Sequence, residues 1–291
     1  MYDFAGYHEV VLTDHELGVS FPLVVFYPTQ AIGQDDAVGP YQLVVARDAP
    51  VAEGIFPLVV ISHGRGSSPF VYRTLAHYLA RQGFVVGLPE HPGNNRRDNT
   101  WEGTTQNLVA RPSHLRLAIQ QLFKNQLFAR VLKPDGIGVI GHSMGGYTAL
   151  ALAGGTPTAF PHETVDGQEQ LIAVVADTRI KALVLLAPAT VWFRAQGALH
   201  GVDVPMLLLT AEKDEYTPFF HSQIVLEGVA DKHKIEHRII ENAGHYSFLS
   251  PFPASMQSPT FLPSQEPPGF NRVRFQEGLH AEIAAFLRQK L

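Results

Sequence analysis

Ile137-Gly138-Val139-Ile140-Gly141-His142-Ser143-Met144-Gly145-Gly146-Tyr147-Thr148-Ala149-Leu150-Ala151-Leu152-Ala153 is the stretch that decides the fold. Ile137 to Ile140 is a short apolar run of the kind that makes a buried strand, and Thr148 to Ala153 is a helix former. Between them a serine sits in the pattern G-x-S-x-G. A strand that becomes a helix within so few residues is tight and strained, and a side chain at either flanking glycine would collide with strand or helix. The strain pushes the serine hydroxyl out at the carboxyl end of a sheet. The new helix aims its free N–H groups at the same place. The short pattern alone arises by chance; its seat between an apolar run and a helical one gives it weight.

Outward from this turn, apolar β-rich runs alternate with helical patterns. Val10 to Leu12 and Phe21 to Tyr27 open the chain as an expected antiparallel pair, with an extra strand possible at Tyr41 to Ala46. Phe56–Ile61, Phe84–Leu88, Ala182–Leu186, Pro205–Leu209 and Ile235–Ile240 follow. These runs are nearly continuous in Val, Ile and Leu, as strands covered by helices on both faces are. Ser68-Pro69 reads as a helix start, with Tyr72, Leu75, Ala76 and Leu79 on one face and Gly83 as the stop. Leu115, Ala118, Ile119 and Leu122 form a second stripe; Phe275, Leu279, Ile283 and Phe286 form the last. The expectation is a doubly wound, mostly parallel sheet of about eight strands flanked by helices.

Neither an internal repeat nor a dividing linker is visible, so residues 1–291 read as one domain. Two segments are irregular. Residues 154–178 mix Gly, Thr and acids, and residues 250–268 hold six prolines. Each is either a surface loop or a cover over a pocket. Residues 189–203 leave room for one ordinary crossover helix and no added cap.

An apolar share of 45% and a charged share of 17% provide for a large core and exclude disorder. The net charge of −5, with no basic block longer than Arg96-Arg97, gives no support to a nucleic-acid partner. With no cysteine there is no disulfide, no thiolate zinc site and no thiol nucleophile. The start of the chain lacks a basic, apolar leader, and no stretch approaches the ~20 apolar residues of a membrane span. A cytoplasmic protein is expected. His233 and His237 have a ligand-like spacing, but no third ligand joins them. No dinucleotide fingerprint appears either. No metal or other cofactor is expected, and the oligomeric state is left open.

With these motifs the sequence resembles the α/β-hydrolase superfamily of serine esterases. His63-Gly64-Arg65-Gly66 follows Phe56–Ile61, where the superfamily keeps its H-G-x oxyanion loop. Lys213-Asp214 with Pro218 follows Pro205–Leu209, where it carries its acid. Ala243-Gly244-His245 follows the strand ending at Ile240, where it carries its base. Phe26-Tyr27-Pro28, Ser62 to Gly66, Ala110-Arg111-Pro112 and Gly244 to Phe248 look most like the dienelactone-hydrolase-like and platelet-activating-factor-acetylhydrolase-like branch. Two departures prevent transfer of either substrate. The dienelactone hydrolases use a cysteine nucleophile, absent here. The acetylhydrolases place their acid after the sixth strand, which here reads Ala187-Pro188-Ala189.

The resemblance implies Ser143 as nucleophile, His245 as base and Asp214 as orienting acid, in the chain order usual for the fold. Among 14 histidines, His245 alone follows the last strand in a flexible loop. His142 is expected to point away from the serine, His63 to brace the oxyanion loop, and His221, His233 and His237 to be solvated. Asp214 is preferred over its neighbours Glu212 and Glu215, and over Asp177, which has Arg179 beside it. The oxyanion donors are the backbone N–H groups of Met144 and Arg65. Candidate substrate contacts are His63, His91, Trp192, Phe193, Tyr246 and Phe248, each of which could equally be core. The implied activity is cleavage of a small carboxylic ester through an acyl-enzyme. An amidase, lactonase or perhydrolase on the same triad is the alternative, and a non-catalytic binder keeping the fold is the alternative of another class.

Overall fold

The computed structural model describes residues 1–291. Ten strands form one sheet: β1 (Phe4–Asp14), β2 (Val19–Thr29), β3 (Gln34–Val38), β4 (Tyr41–Arg47), β5 (Phe56–Ser62), β6 (Val85–Pro89), β7 (Leu132–His142), β8 (Ile180–Leu186), β9 (Met206–Ala211) and β10 (Ile235–Ile240). Their spatial order is β10-β9-β8-β7-β5-β6-β2-β1-β4-β3. From β6 to β10 every neighbouring pair is parallel. β1 and β2 pair antiparallel along their whole length, and β2 joins the parallel part through β6.

The helices are α1 (Arg73–Arg81), α2 (Thr105–Lys124), α3 (Met144–Leu152), α4 (Phe220–Gly228) and α5 (Arg272–Lys290). Successive side chains of a strand face opposite ways, so the sheet feeds two cores. Leu58, Val60, Val139, Leu183 and Leu185 pack with Leu115 and Ile119 of α2 and Tyr147 and Leu150 of α3. Val59, Ile61, Ile140, Val184 and Leu186 pack with Leu75 and Leu79 of α1 and Leu279 and Ile283 of α5. Full burial of one such side chain contributes about 1.5–3 kcal/mol. This double covering is why the strand sequences are apolar without alternation. It is the α/β-hydrolase fold.

Two expectations need correction. The sheet has ten strands where about eight were expected. β3, Gln34-Asp35-Asp36-Ala37-Val38, has no apolar run because it is an edge strand with mostly exposed side chains, where charges are tolerated. Residues 189–203 form no crossover helix. They hold only the 3₁₀ turn Val191–Phe193 and further turns. Residues 154–178 are irregular, as the sequence indicated, apart from a two-stranded ribbon pairing Thr158-Ala159 with Gln170-Leu171. No helix is long and apolar enough to cross a membrane.

Candidate active site

β7 ends at His142 and α3 begins at Met144, leaving Ser143 alone at the corner with φ 54° and ψ −120°. A non-glycine residue in that region costs about 1–3 kcal/mol and persists only where its surroundings fix it. The glycines fix it by allowing backbone to touch backbone. A Cβ on Gly141 would lie 2.2 Å from the Gly145 carbonyl oxygen, and one on Gly145 would lie 1.9 Å from that of Ser62. The corner is therefore wedged against the end of β5. Ser143 is half-buried and faces a cavity of about 440 Å³ that His245 also lines. Its hydroxyl makes no hydrogen bond to another side chain in this resting arrangement; such catalytic bonds often tighten only around substrate.

His245 stands in the 3₁₀ turn that follows β10, and Asp214 in the loop that follows β9. His245 Nδ1 donates to Asp214 Oδ2 at 2.8 Å. Asp214 Oδ1 accepts the backbone N–H groups of Tyr216 and Thr217, both at 2.8 Å. The Thr217 hydroxyl lies 2.7 Å from Oδ2 and 3.0 Å from the Ala187 carbonyl. Burial pushes the Asp214 carboxyl upward, but the His245 contact and the Thr217 hydrogen bonds outweigh it and bring the pKa down to about 2. Asp214 is thus a fixed anion, with the His245 tautomer that donates from Nδ1 and leaves Nε2 free to take a proton.

Asp177, Glu212 and Glu215 lie elsewhere. Asp177 makes a two-pronged pair with Arg179, and Glu212 accepts the Asn242 N–H. Glu215 is exposed.

The loop His63–Gly66 is built with equal rigidity. Gly64, Arg65 and Met144 line the cavity, and neither the Arg65 nor the Met144 N–H donates to a protein acceptor. His63 lies fully buried under the loop. Its Nδ1 donates to the Gly64 carbonyl at 2.7 Å, and its Nε2 accepts the His91 N–H at 3.0 Å. The first bond holds the Gly64 carbonyl, and with it the Gly64–Arg65 peptide, at the cavity wall. Burial, aided by the Arg111 charge, holds the His63 pKa down at about 3, so the ring stays neutral. The Arg65 side chain is exposed and pairs with Glu102 at 2.5 Å.

Behind Ser143 and His245, His142 points away from Ser143 and takes on a bracing role. Tyr72 O–H donates to His142 Nδ1 at 2.9 Å, and His142 Nε2 donates to the His245 carbonyl at 2.9 Å. His245 is therefore tied to the end of β7, beside Ser143.

Of the six candidate substrate contacts, Trp192 and Tyr246 line the cavity. His63, His91, Phe193 and Phe248 do not. All four are buried: the two histidines brace loops, Phe193 stacks on Tyr147, and Phe248 packs on Phe275 and His142. His221 is not solvated either. It is buried at the cavity wall, and its Nδ1 accepts the Thr190 N–H at 3.0 Å. The Pro-rich segment covers the site through Phe252, Phe261 and Pro263. Segment 154–178 contributes no lining residue; it acts at one remove, through Glu163, which holds the Trp192 indole N–H at 2.9 Å. Thr217 went unread in the sequence, although Asp214-x-x-Thr217-Pro218 carries the signature of a capped turn. Nothing local to the sequence announces His142 or Arg111 as supports. No group of three or more His, Asp or Glu side chains is arranged to hold a metal ion.

The chlorophyllase family profile matches residues 28–174, just over half of the chain. The chain belongs to the chlorophyllase family. Within this chlorophyllase-family chain the matched span includes the His63–Gly66 loop and Ser143, while Asp214 and His245 lie beyond it. The narrower likeness to the dienelactone-hydrolase and acetylhydrolase branch rests on its motifs alone. A ferulic acid esterase from Streptomyces cinnamoneus has a similar structure, with a TM-score of 0.74 over 99% of this chain and 90% of that one, at 18% identity. No curated protein matches the chain. Family and fold together make it an α/β-hydrolase of the esterase kind.

Proposed function

We propose that the protein is a serine carboxylesterase that cleaves small esters through an acyl-enzyme. The observation that carries this reading is the 2.8 Å bond between His245 Nδ1 and a fixed Asp214 anion, in the same cavity as a serine on a strained corner. Ser143 Oγ attacks the ester carbonyl as His245 Nε2 takes its proton. The carbonyl oxygen becomes an oxyanion facing the Met144 and Arg65 N–H groups, each worth about 3 kcal/mol to the transition state. Collapse expels the alcohol, which takes the proton back from His245. Water then repeats the sequence on the acyl-enzyme and releases the acid. Trp192, Tyr216, Tyr246, Phe252 and Phe261 around the cavity suit an aromatic or short aliphatic acyl group. The names of the family and of the fold neighbour, both esterases, favour esters over amides.

A fluorophosphonate probe should add one covalent label per chain, on Ser143. Ser143→Ala should take no label and lose at least ~10⁴-fold in kcat while remaining folded. Undiminished ester turnover by this variant would overturn the assignment.

A further inference from the structure

Arg111 is the largest fully buried side chain of the molecule, and no carboxylate meets it. Its Nε donates to Thr148 Oγ1 at 3.0 Å and its Nη1 to Asn94 Oδ1 at 2.7 Å. Its Nη2 donates to the His63 carbonyl and approaches Ser62 Oγ at 3.4 Å. Of the buried acids, Asp14 faces His114 and Asp177 pairs with Arg179. Burial lowers the guanidinium to a pKa of about 9, which leaves it charged at neutral pH. An unpaired buried charge is expensive, and a protein built for stability alone would neutralise or replace it.

The location suggests what the charge is for. Thr148 is on the second turn of α3, behind the nucleophile; Asn94 is in the loop after β6; His63 heads the oxyanion loop. One guanidinium thus joins all three elements around the place where negative charge develops. A fixed cation in a water-excluded surrounding acts over a longer range than one in water.

We propose that Arg111 is a positioning residue of the oxyanion hole, fixing the His63–Gly64–Arg65 backbone and leaving behind it a positive charge that only the oxyanion answers. This rests on the serine-esterase reading above. It separates two quantities. Binding of a neutral ester should owe little to Arg111, whereas stabilisation of the tetrahedral anion should owe much.

Asn94→Asp tests this without removing the arginine. The new carboxylate would stand 2.7 Å from Nη1 and neutralise the charge where it is, once the Asn99 amide turns to donate to it and gives up its exposed bond to Glu102. The expected result is a fall of about tenfold or more in kcat, an equal loss of affinity for an aryl boronic acid, whose serine adduct is a tetrahedral anion, and KM within about twofold of wild type. Thermal stability should not fall. Arg111→Lys, which keeps the charge but not the fork, should retain more activity than Arg111→Met. Wild-type kcat and boronate affinity in Asn94→Asp, with the fluorophosphonate still labelling Ser143, would overturn the Arg111 proposal alone. A wild-type chain that neither takes the label nor hydrolyses any ester would overturn the serine reading and this proposal with it.

Discussion

The floor and the roof of the cavity are made differently. The floor is the ends of β5 and β7 with the loops that leave them. Its backbone is in contact with itself at Gly141 and Gly145, and its polar groups are buried and paired through His63, His142, Tyr72 and Arg111. The roof is the Pro-rich chain from Ser250 to Pro268, with two short 3₁₀ turns and mostly half-exposed side chains. Side chains of helices beneath hold it: Arg73 donates to the Pro251 carbonyl at 2.5 Å, Arg272 to that of Pro263 at 2.9 Å, and Ser247, two residues from the base, to Glu266 at 2.9 Å. Where charge develops, atoms must stay within tenths of an ångström, and a sheet end supplies that. Where only shape is read, loops suffice, and prolines limit their freedom.

Predictions can break this division or sharpen it. The largest effect should come from the Asp214–His245 pair that stands beside the floor. Asp214→Asn removes the anion and favours the wrong His245 tautomer, so kcat should fall about 10⁴-fold. Asp177→Asn and Glu212→Gln should stay within a few-fold. Steady-state kinetics on the three variants decide; equal losses in all would mean the acid is misassigned.

Acid should act on the floor next. His63, His91 and His142 are buried, and burial lowers the pKa of each: to about 3 for His63 and His142, and well down for His91. Unfolded, each takes a proton from about pH 6.5 downward. Between there and the folded values the unfolded chain binds more protons, so stability falls as pH falls, by up to about 1.4 kcal/mol per pH unit for each histidine. Asp214 adds the same sign only lower, between the ordinary carboxylate range and about 2. Urea midpoints should drop steadily from pH 7.5 to 5; a flat profile would contradict neutral, buried histidines.

The roof should govern acyl length. p-Nitrophenyl acetate to hexanoate should exceed the palmitate in kcat/KM by about 100-fold, an activation difference near 2.7 kcal/mol. No jump in rate should appear past the solubility limit. Preference for the palmitate, or interfacial activation, would show that the roof opens. The smallest effect belongs to single roof side chains. Phe261, which packs edge-on against Phe252 beneath the Arg96 guanidinium, lines the cavity without touching the triad. Phe261→Ala should raise KM a few-fold and narrow the acetate-to-palmitate ratio, with kcat for acetate unchanged. A tenfold kcat loss would mean that roof and floor act as one.

Much of this was legible in the sequence. The apolar runs and the glycine-flanked serine are local signals, because strand period, helix stripe and tight turn are each written within a few residues. They yielded the doubly covered parallel sheet and the corner at Ser143, whereas Asp214 and His245 were singled out by the resemblance of the loops after the last two strands to those of a known superfamily. What faces the cavity was not legible. His63, His91, Phe193 and Phe248 lie in the right loops but turn inward, since each is claimed by a partner: the His91 N–H for His63, Ser62 for His91, Tyr147 for Phe193, and Phe275 with His142 for Phe248. His221 is buried by Thr190, thirty-one residues earlier. Ala110-Arg111-Pro112 is legible as a motif, but the role of Arg111 appears only when α2 packs it against α3 and the loops of Asn94 and His63. A pattern along the chain fixes a residue's element and its period; the direction a loop side chain takes depends on hydrogen bonds and packing with distant segments, and those exist only once the fold has closed.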